Sequence, residues 1–236
     1  SQAQMVSELS DGAFDMTFAS VGYLYDFRIS QQPTESELAK HVAAVDYRNV
    51  TLNEENQTVR FQHKDVIIDL GGIAKGYAVD QGIKILSDSG VKFARLSAGG
   101  DMRLLGDKKG VPWIVGVKDP RTEKTKNNHL LALPLSDVAI STSGDYERFF
   151  IDENGERIHH IISPKTGRSA QGIQSVTVIG PDTITTDGLS TAVFVLGVEK
   201  GMAMIESLSG VDVIIIDADR RVYFSDGLAD PNASKN

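Results

Sequence analysis

The sequence predicts an α+β fold, a single domain of mostly antiparallel or mixed sheet with helices packed on it. Short strand-like runs recur along the chain and are joined by turn signals, such as residues 53–57 and Asp152-Glu153-Asn154-Gly155. Helical patterns are scattered among these hairpins instead of alternating with single strands, which argues against a doubly wound parallel sheet. The 236 residues are 41% hydrophobic and show no internal repeat or low-complexity linker, so one well-filled core is expected over residues 1–229, with 230–236 as a disordered tail.

Taken in order, Thr34-Glu35-Ser36-Glu37 has the T-x-x-E form of a capping box after Pro33. It predicts a helix running to about residue 45, with Leu38, Val42 and Val45 on its buried face. Strands are expected at 50–52, 58–61 and 66–70, the first two joined by the turn at 53–57. From 74 to 89 the pattern is helical. Ala74, Ala78, Gly82, Ile85 and Ser89 share one side, and small residues there imply a close approach to a sheet. Gly90 should end that helix in the left-handed region. Strands follow at 93–97, 113–117, 130–135, 138–142 and 147–151. The Asn-Gly turn at 152–155 then returns the chain into 158–162. A strand at 174–179, a buried helix at 187–196 stopped by Gly197, a helix at 200–208, and a hairpin of 211–216 with 222–224 complete the series.

Bulk chemistry narrows the functions. The net charge is −8, from 24 Lys and Arg against 32 Asp and Glu, and no basic cluster stands out, which argues against nucleic acid as a partner. The longest unbroken apolar runs fall far short of a membrane span. The chain has no cysteine, which excludes disulfides, thiolate-held metals and thiol catalysis within it and leaves the compartment open. Its opening, SQAQMVSELSDGAF, has neither the basic nor the apolar region of a signal peptide.

Five stretches can carry chemistry, each with a purely structural alternative. In DLGGIAKG (69–76), Gly71 and Gly72 let a ligand approach the backbone. The following helix offers N–H groups, and Lys75 adds a point charge. That suits phosphate without the P-loop spacing, but it also describes a tight strand-to-helix turn. In SAGGD (97–101), Asp101 after Gly99 and Gly100 can accept from ribose hydroxyls or an adenine amine, or simply be solvated. ISTSGDYER (140–148) offers Ser141, Thr142, Ser143 and Gly144 to a polar ring or phosphate, with Tyr146 and Arg148 nearby. In HHIISPKTG (159–167), neighbouring strand residues face opposite ways, so His159 and His160 cannot both serve one site. A two-histidine metal site is therefore disfavoured. One histidine facing a cleft is a candidate acid/base group or phosphate partner, or else structural. The Lys165-Thr166-Gly167 turn can add an N–H and a hydroxyl. In TTDGLSTA (185–192), a helix starting near Asp187 puts Asp187 and Thr191 at i and i+4 on one face, oxygen ligands suited to Mg²⁺. Helix capping and back-bonding explain the same residues without a metal.

The five stretches, DLGGIAKGYAVD, SAGGD, ISTSGDYERFF, HHIISPKTG and TDGLSTAVFVLG, occur in one order from Asp69 to Gly197, and together they resemble the ApbE-type FAD:protein FMN transferases. SELSDGAFDMT resembles the segment ahead of that family's core. The resemblance implies a magnesium-dependent enzyme that moves the FMN part of FAD to a Ser or Thr hydroxyl of another protein and releases AMP. It implies a Mg²⁺ site from Asp187, Thr191 and a backbone carbonyl, taken as that of Gly72, with catalytic roles for His160 and Lys75. FAD contacts are expected at Gly71, Gly72, Lys75, Asp80, Gly99, Gly100, Asp101, Ser143, Gly144, His160 and Thr166. His160 is the base or a phosphate partner; the sequence leaves both open.

The resemblance also implies an acceptor protein, such as a respiratory redox complex subunit, and a periplasmic place at the outer face of the inner membrane. Family members carry several dozen further residues before SELSDG, where a lipid-anchored cysteine would lie. Ser163 stands where the family usually has Asp or Asn before the proline. DGLST (187–191) resembles the acceptor sequences such enzymes modify, but its flanking blocks mark it as the metal helix. Two other readings fit the same blocks: an FAD pyrophosphatase giving FMN and AMP, and a non-catalytic FAD-binding protein.

Overall fold

The computed structural model describes residues 1–122 and 129–228; the tail expected at 230–236 lies outside them. The chain opens with α1 (Gln2–Leu9), a 3₁₀ turn at Met16–Phe18 and the short α2 (Ala19–Gly22), none of which the sequence pattern had signalled. Asp15 caps the 3₁₀ turn, accepting from the Thr17 N–H at 2.8 Å and from the Tyr47 N–H at 2.7 Å. α3 (Glu35–His41) begins with the expected capping box. Thr34 Oγ1 accepts from the Glu37 N–H, and the Glu37 carboxylate accepts from the Thr34 N–H at 2.8 Å. The helix tightens to a 3₁₀ turn at Val42–Ala44 instead of running on to residue 45.

β1 (Val50–Asn53) and β2 (Thr58–Phe61) pair antiparallel across the expected turn. Residues 66–70, expected as a strand, pair with no strand. Their inward N–H groups are satisfied otherwise: Ile67 donates to Ser20 Oγ and Asp69 to the Met16 carbonyl. The apolar side chains of Ile67, Ile68 and Leu70 stay exposed, so the run that mimics a buried strand is a surface segment.

α4 (Ala74–Asp88) follows, and Gly90 ends it at φ 84°. Its buried face is not the one expected. Gly76, Val79 and Ile83 face inward while Ala74, Ala78 and Ile85 are exposed. The close approach is made at Gly76, where a Cβ would collide with the carbonyl of Thr183. Gly76 therefore serves a helix–helix contact, while Gly82 makes the expected close approach to the sheet, where a Cβ would collide with Leu96 of the strand Ala94–Ala98.

The remaining strands are β3 (Ala94–Ala98), β4 (Asp101–Leu105), β5 (Trp113–Lys118), β6 (His129–Leu135), β7 (Ala139–Gly144), β8 (Phe149–Ile151), β9 (Arg157–His159) and β10 (Ile173–Gly180). After them come α5 (Thr183–Glu206) and the hairpin of β11 (Asp212–Asp217) with β12 (Val222–Phe224). The main sheet runs β12-β11-β10-β7-β4-β3, with β1–β2, β5–β6 and β8–β9 as separate hairpins. All pairings among the described residues are antiparallel, which is the α+β architecture expected.

α5 lies across β10 and β7. Leu189, Val193 and Phe194 bury fully against Val176, Val178 and Val213. Each such side chain contributes roughly 1.5–3 kcal/mol of burial. The helix starts at Thr183, a turn earlier than expected, because two carboxylates hold its first amides. Asp182 accepts from the Thr185 N–H, and Asp80 from the N–H groups of Thr183 and Ile184. At Gly197 (φ 80°) the helical backbone breaks, so α5 is two helices meeting at a kink, as the sequence predicts. By length and composition α5 could cross a bilayer; in this fold that apolar surface builds the core.

Candidate active site

One end of the main sheet gathers the site. β7 runs into Thr142, Ser143 and Gly144 where β4 begins at Asp101, because the two strands are antiparallel neighbours. The first turn of α4 brings Lys75 to this end, and the second and third turns of α5 bring Asp187 and Thr191. Together they floor a cavity of about 630 Å³, within the range of roughly 300–1,000 Å³ usual for ligand pockets.

The floor is a charge cluster. Lys75 Nζ lies 2.8 Å from Asp187 Oδ1 and 2.5 Å from Asp101 Oδ2, bridging carboxylates from residues far apart in sequence. Asp187 is 2% exposed and Asp101 1%. The Gly76 N–H donates to Asp187 Oδ2 at 3.0 Å, and the Thr142 N–H to Asp101 Oδ1 at 3.3 Å. Asp101 Oδ2 is buried and has the Lys75 ammonium as its partner. Burial, and then the charge of Asp101, pushes the Asp187 carboxyl above the ordinary carboxylate range, against the pull of Lys75. Burial lowers Lys75, but Asp101 and Asp187 outweigh it and hold the ammonium above its usual value.

Two buried carboxylates sharing one ammonium leave an excess negative charge. That is what a divalent cation would neutralise. The donors around it are hard oxygens. Thr191 Oγ1 lies 3.2 Å from Ser143 Oγ, and Gly72 packs so closely that a Cβ on it would stand 3.7 Å from Thr191 Oγ1. Among the described residues no three His, Asp or Glu side chains form a metal cluster. A cation here would therefore rely on hydroxyl and carbonyl oxygens beside Asp187, a set that suits Mg²⁺.

The two histidines face apart as expected, although β9 ends at His159 and His160 lies just beyond it. His159 is buried: Nε2 contacts the Ala170 carbonyl at 2.7 Å, and the ring sits edge-on to Phe194. His160 faces the cavity, with Nδ1 3.4 Å from the Arg148 carbonyl. Burial, then the Arg148 guanidinium, lowers its pKa to about 4, so the ring is neutral near pH 7.

Of the residues singled out from sequence, Gly71, Gly72, Lys75, Gly99, Asp101, Ser143, Gly144, His160, Asp187 and Thr191 line this cavity. Gly100 stands in the β3–β4 turn at φ 107°, off the lining. Asp80 points to the amides of α5, and Thr166 Oγ1 accepts from the Arg168 N–H within its own turn. Arg148 lines the cavity; Tyr146 is buried beside it under Lys118. Of the helix amides expected to be free for phosphate, that of Gly76 is occupied by Asp187. Ser190, within the acceptor-like DGLST, is fully buried and unavailable for modification.

The sequence reading missed an entire wall. Phe14, Phe18, Tyr23, Tyr25 and Phe27 line the cavity, together with Ile67 and Ile68. The signal was present as a cluster of five aromatic residues between Phe14 and Phe27. Without periodicity it marked neither a helix nor a strand. The cavity thus pairs a charged floor with a ring-lined wall, an arrangement suited to a ligand with both phosphates and planar rings.

A model of the ApbE family matches residues 1–215. The chain is 34% identical over 226 residues to the FAD:protein FMN transferase of Haemophilus influenzae, covering 92% of this chain and 65% of that protein. It is 33% identical over 246 residues to the enzyme of that name from Treponema pallidum, covering 97% and 67%. It therefore spans about two thirds of the length of these curated relatives. Among solved structures, the ApbE protein of Thermotoga maritima superposes with a TM-score of 0.86 at 36% identity, over 95% of this chain and 74% of that one. The flavin transferase ApbE from Vibrio cholerae gives 0.82 at 31%, over 95% and 72%.

Proposed function

The chain belongs to the ApbE family, and on that premise we propose that it transfers FMN from FAD to a Ser or Thr hydroxyl of an acceptor protein, with Mg²⁺ required and AMP released. The observation that carries the reading is the Lys75 bridge between two buried carboxylates on the floor of a ring-walled cavity. Such a floor suits a cation and faces a space fit for a dinucleotide.

In the proposed step the acceptor oxygen attacks the phosphorus of the FMN half. The anhydride bond to AMP breaks, AMP leaves with the bridging oxygen, and the hydroxyl proton passes to a base. Phosphoryl transfer of this kind depends mainly on positioning and on charge stabilisation. Asp187, Thr191 and the Gly72 carbonyl would hold Mg²⁺, which supplies charge neutralisation on the pyrophosphate. Lys75 sits beside that position and offers its ammonium to the phosphates. His160 is the base candidate. Its lowered pKa keeps the ring neutral, which favours accepting a proton over clamping phosphate as a cation. The aromatic wall orients the flavin or adenine ring. A periplasmic location belongs to the same proposal on family resemblance alone, and cell fractionation tests it.

The decisive experiment mixes the protein with FAD, Mg²⁺ and a candidate acceptor and reads the acceptor by mass spectrometry. A mass increase of one FMN on a Ser or Thr is expected. Free FMN formed equally fast with and without acceptor would replace transfer by FAD hydrolysis. FAD binding without AMP release at any Mg²⁺ concentration would leave a binding protein.

A further inference from the structure

Ser190 does not line the cavity, yet it is bonded into it. Fully buried on α5, it donates its proton to the Asp187 carbonyl at 2.9 Å. Its Oγ also lies 2.8 Å from Ser143 Oγ, which in turn lies 3.2 Å from Thr191 Oγ1. A hydroxyl has one proton to give and two lone pairs with which to accept, and a carbonyl can only accept. With the Ser190 proton committed to Asp187, the contact between the serines must use the proton of Ser143. The contact between Ser143 and Thr191 must then use the proton of Thr191. Counting protons therefore fixes one direction along the chain: Thr191 to Ser143, to Ser190, to the Asp187 carbonyl.

That direction decides what Thr191 presents to the cavity. Its proton points into the wall toward Ser143, and its lone pairs are left for the side where a cation would sit. A hydroxyl ligates a hard cation through a lone pair. We propose that Ser190, acting through Ser143, is a positioning residue that holds Thr191 as a lone-pair donor for the cation. The proposal rests on the magnesium reading above. Without Ser190, Ser143 regains a free proton and can turn it on Thr191, occupying the lone pair that the cation needs. The carbonyl at the end of the chain belongs to Asp187 itself, so the same relay ties the backbone of one cation ligand to the hydroxyl of the other.

The test needs no turnover. Mn²⁺ is titrated into the full chain and free Mn²⁺ is read by electron paramagnetic resonance, with thermal unfolding of each variant as a folding control. Ser190→Ala is expected to weaken Mn²⁺ about tenfold, the lower end of what outer-shell partners of a metal site cost. In a Ser143→Ala background the same change should have no further effect, because the path runs through Ser143. An unchanged Mn²⁺ affinity in Ser190→Ala, or an equal loss in both backgrounds, overturns the relay. If the wild-type chain binds Mn²⁺ and Asp187→Ala does not, the magnesium reading stands whichever way the serines fall. If the wild type binds none at millimolar Mn²⁺, the magnesium reading fails and the relay with it.

Discussion

Asp187 is held by three groups at once: Lys75, the Gly76 amide and burial in the floor of the cavity. Asp187→Ala is expected to cut Mg²⁺-dependent AMP release by more than about 100-fold, since even outer-shell partners cost 10–100-fold. Normal turnover of that variant across an Mg²⁺ titration would remove Asp187 from the ligand set. His160 gives a stability signature of its own. Its pKa is about 4 in the native chain against 6.5 for a free imidazole, so between those values the unfolded chain binds more protons. Stability contributed by the neutral ring is therefore lost as pH falls from 6.5 to 4. His159, also lowered, acts in the same sense, and the raised Asp187 in the opposite one. Thermal unfolding from pH 7 to 4.5 should show a smaller decline in His160→Asn than in the wild type. Equal declines would mean that the ring is solvated and titrates normally.

At the scale of elements, the site depends on how α4 and α5 are pinned to each other. Gly76 lets the helices touch, and Asp80 from α4 accepts the first two amides of α5. Asp80→Ala should cost about 1–2 kcal/mol of stability, the usual loss for a removed helix cap. Chemical denaturation reads that cost directly. FAD half-saturation should move less than in Lys75→Ala, because Asp80 faces the helix end and not the cavity. The reverse ranking would return Asp80 to the ligand contacts that family resemblance assigned it. The kink at Gly197 ends the straight segment that carries Asp187 and Thr191.

For the whole molecule, the cavity is assembled from an N-terminal aromatic wall, the α4 start, three strand ends and the core helix, so ligand binding and global stability are linked. FAD with Mg²⁺ at about 100 times its dissociation constant should add about 2.7 kcal/mol. Calorimetry should show a larger rise in melting temperature for the pair than for either alone; no rise with the pair would deny a preformed site. Much of this was legible in the sequence. Thr34 and Glu37 fixed the start of α3 through local hydrogen bonds, and alternation at the end of a strand separated His159 from His160. Turn chemistry located the hairpins, and five ordered blocks pointed to the family. Those features are local, or repeat at the period of the backbone. The rest came from packing between distant segments. No local signal distinguishes an exposed run at 66–70 from a buried strand, or says that Gly76 touches Thr183. The start of α5 was hidden because one of its caps, Asp80, lies about a hundred residues earlier. Sequence by itself determined the hairpins, the capped start of α3 and the charged and hydroxyl groups of the site. Only the tertiary structure decided that Lys75 would stand between Asp101 and Asp187, because that contact depends on antiparallel strand order and on a glycine-mediated approach of two helices.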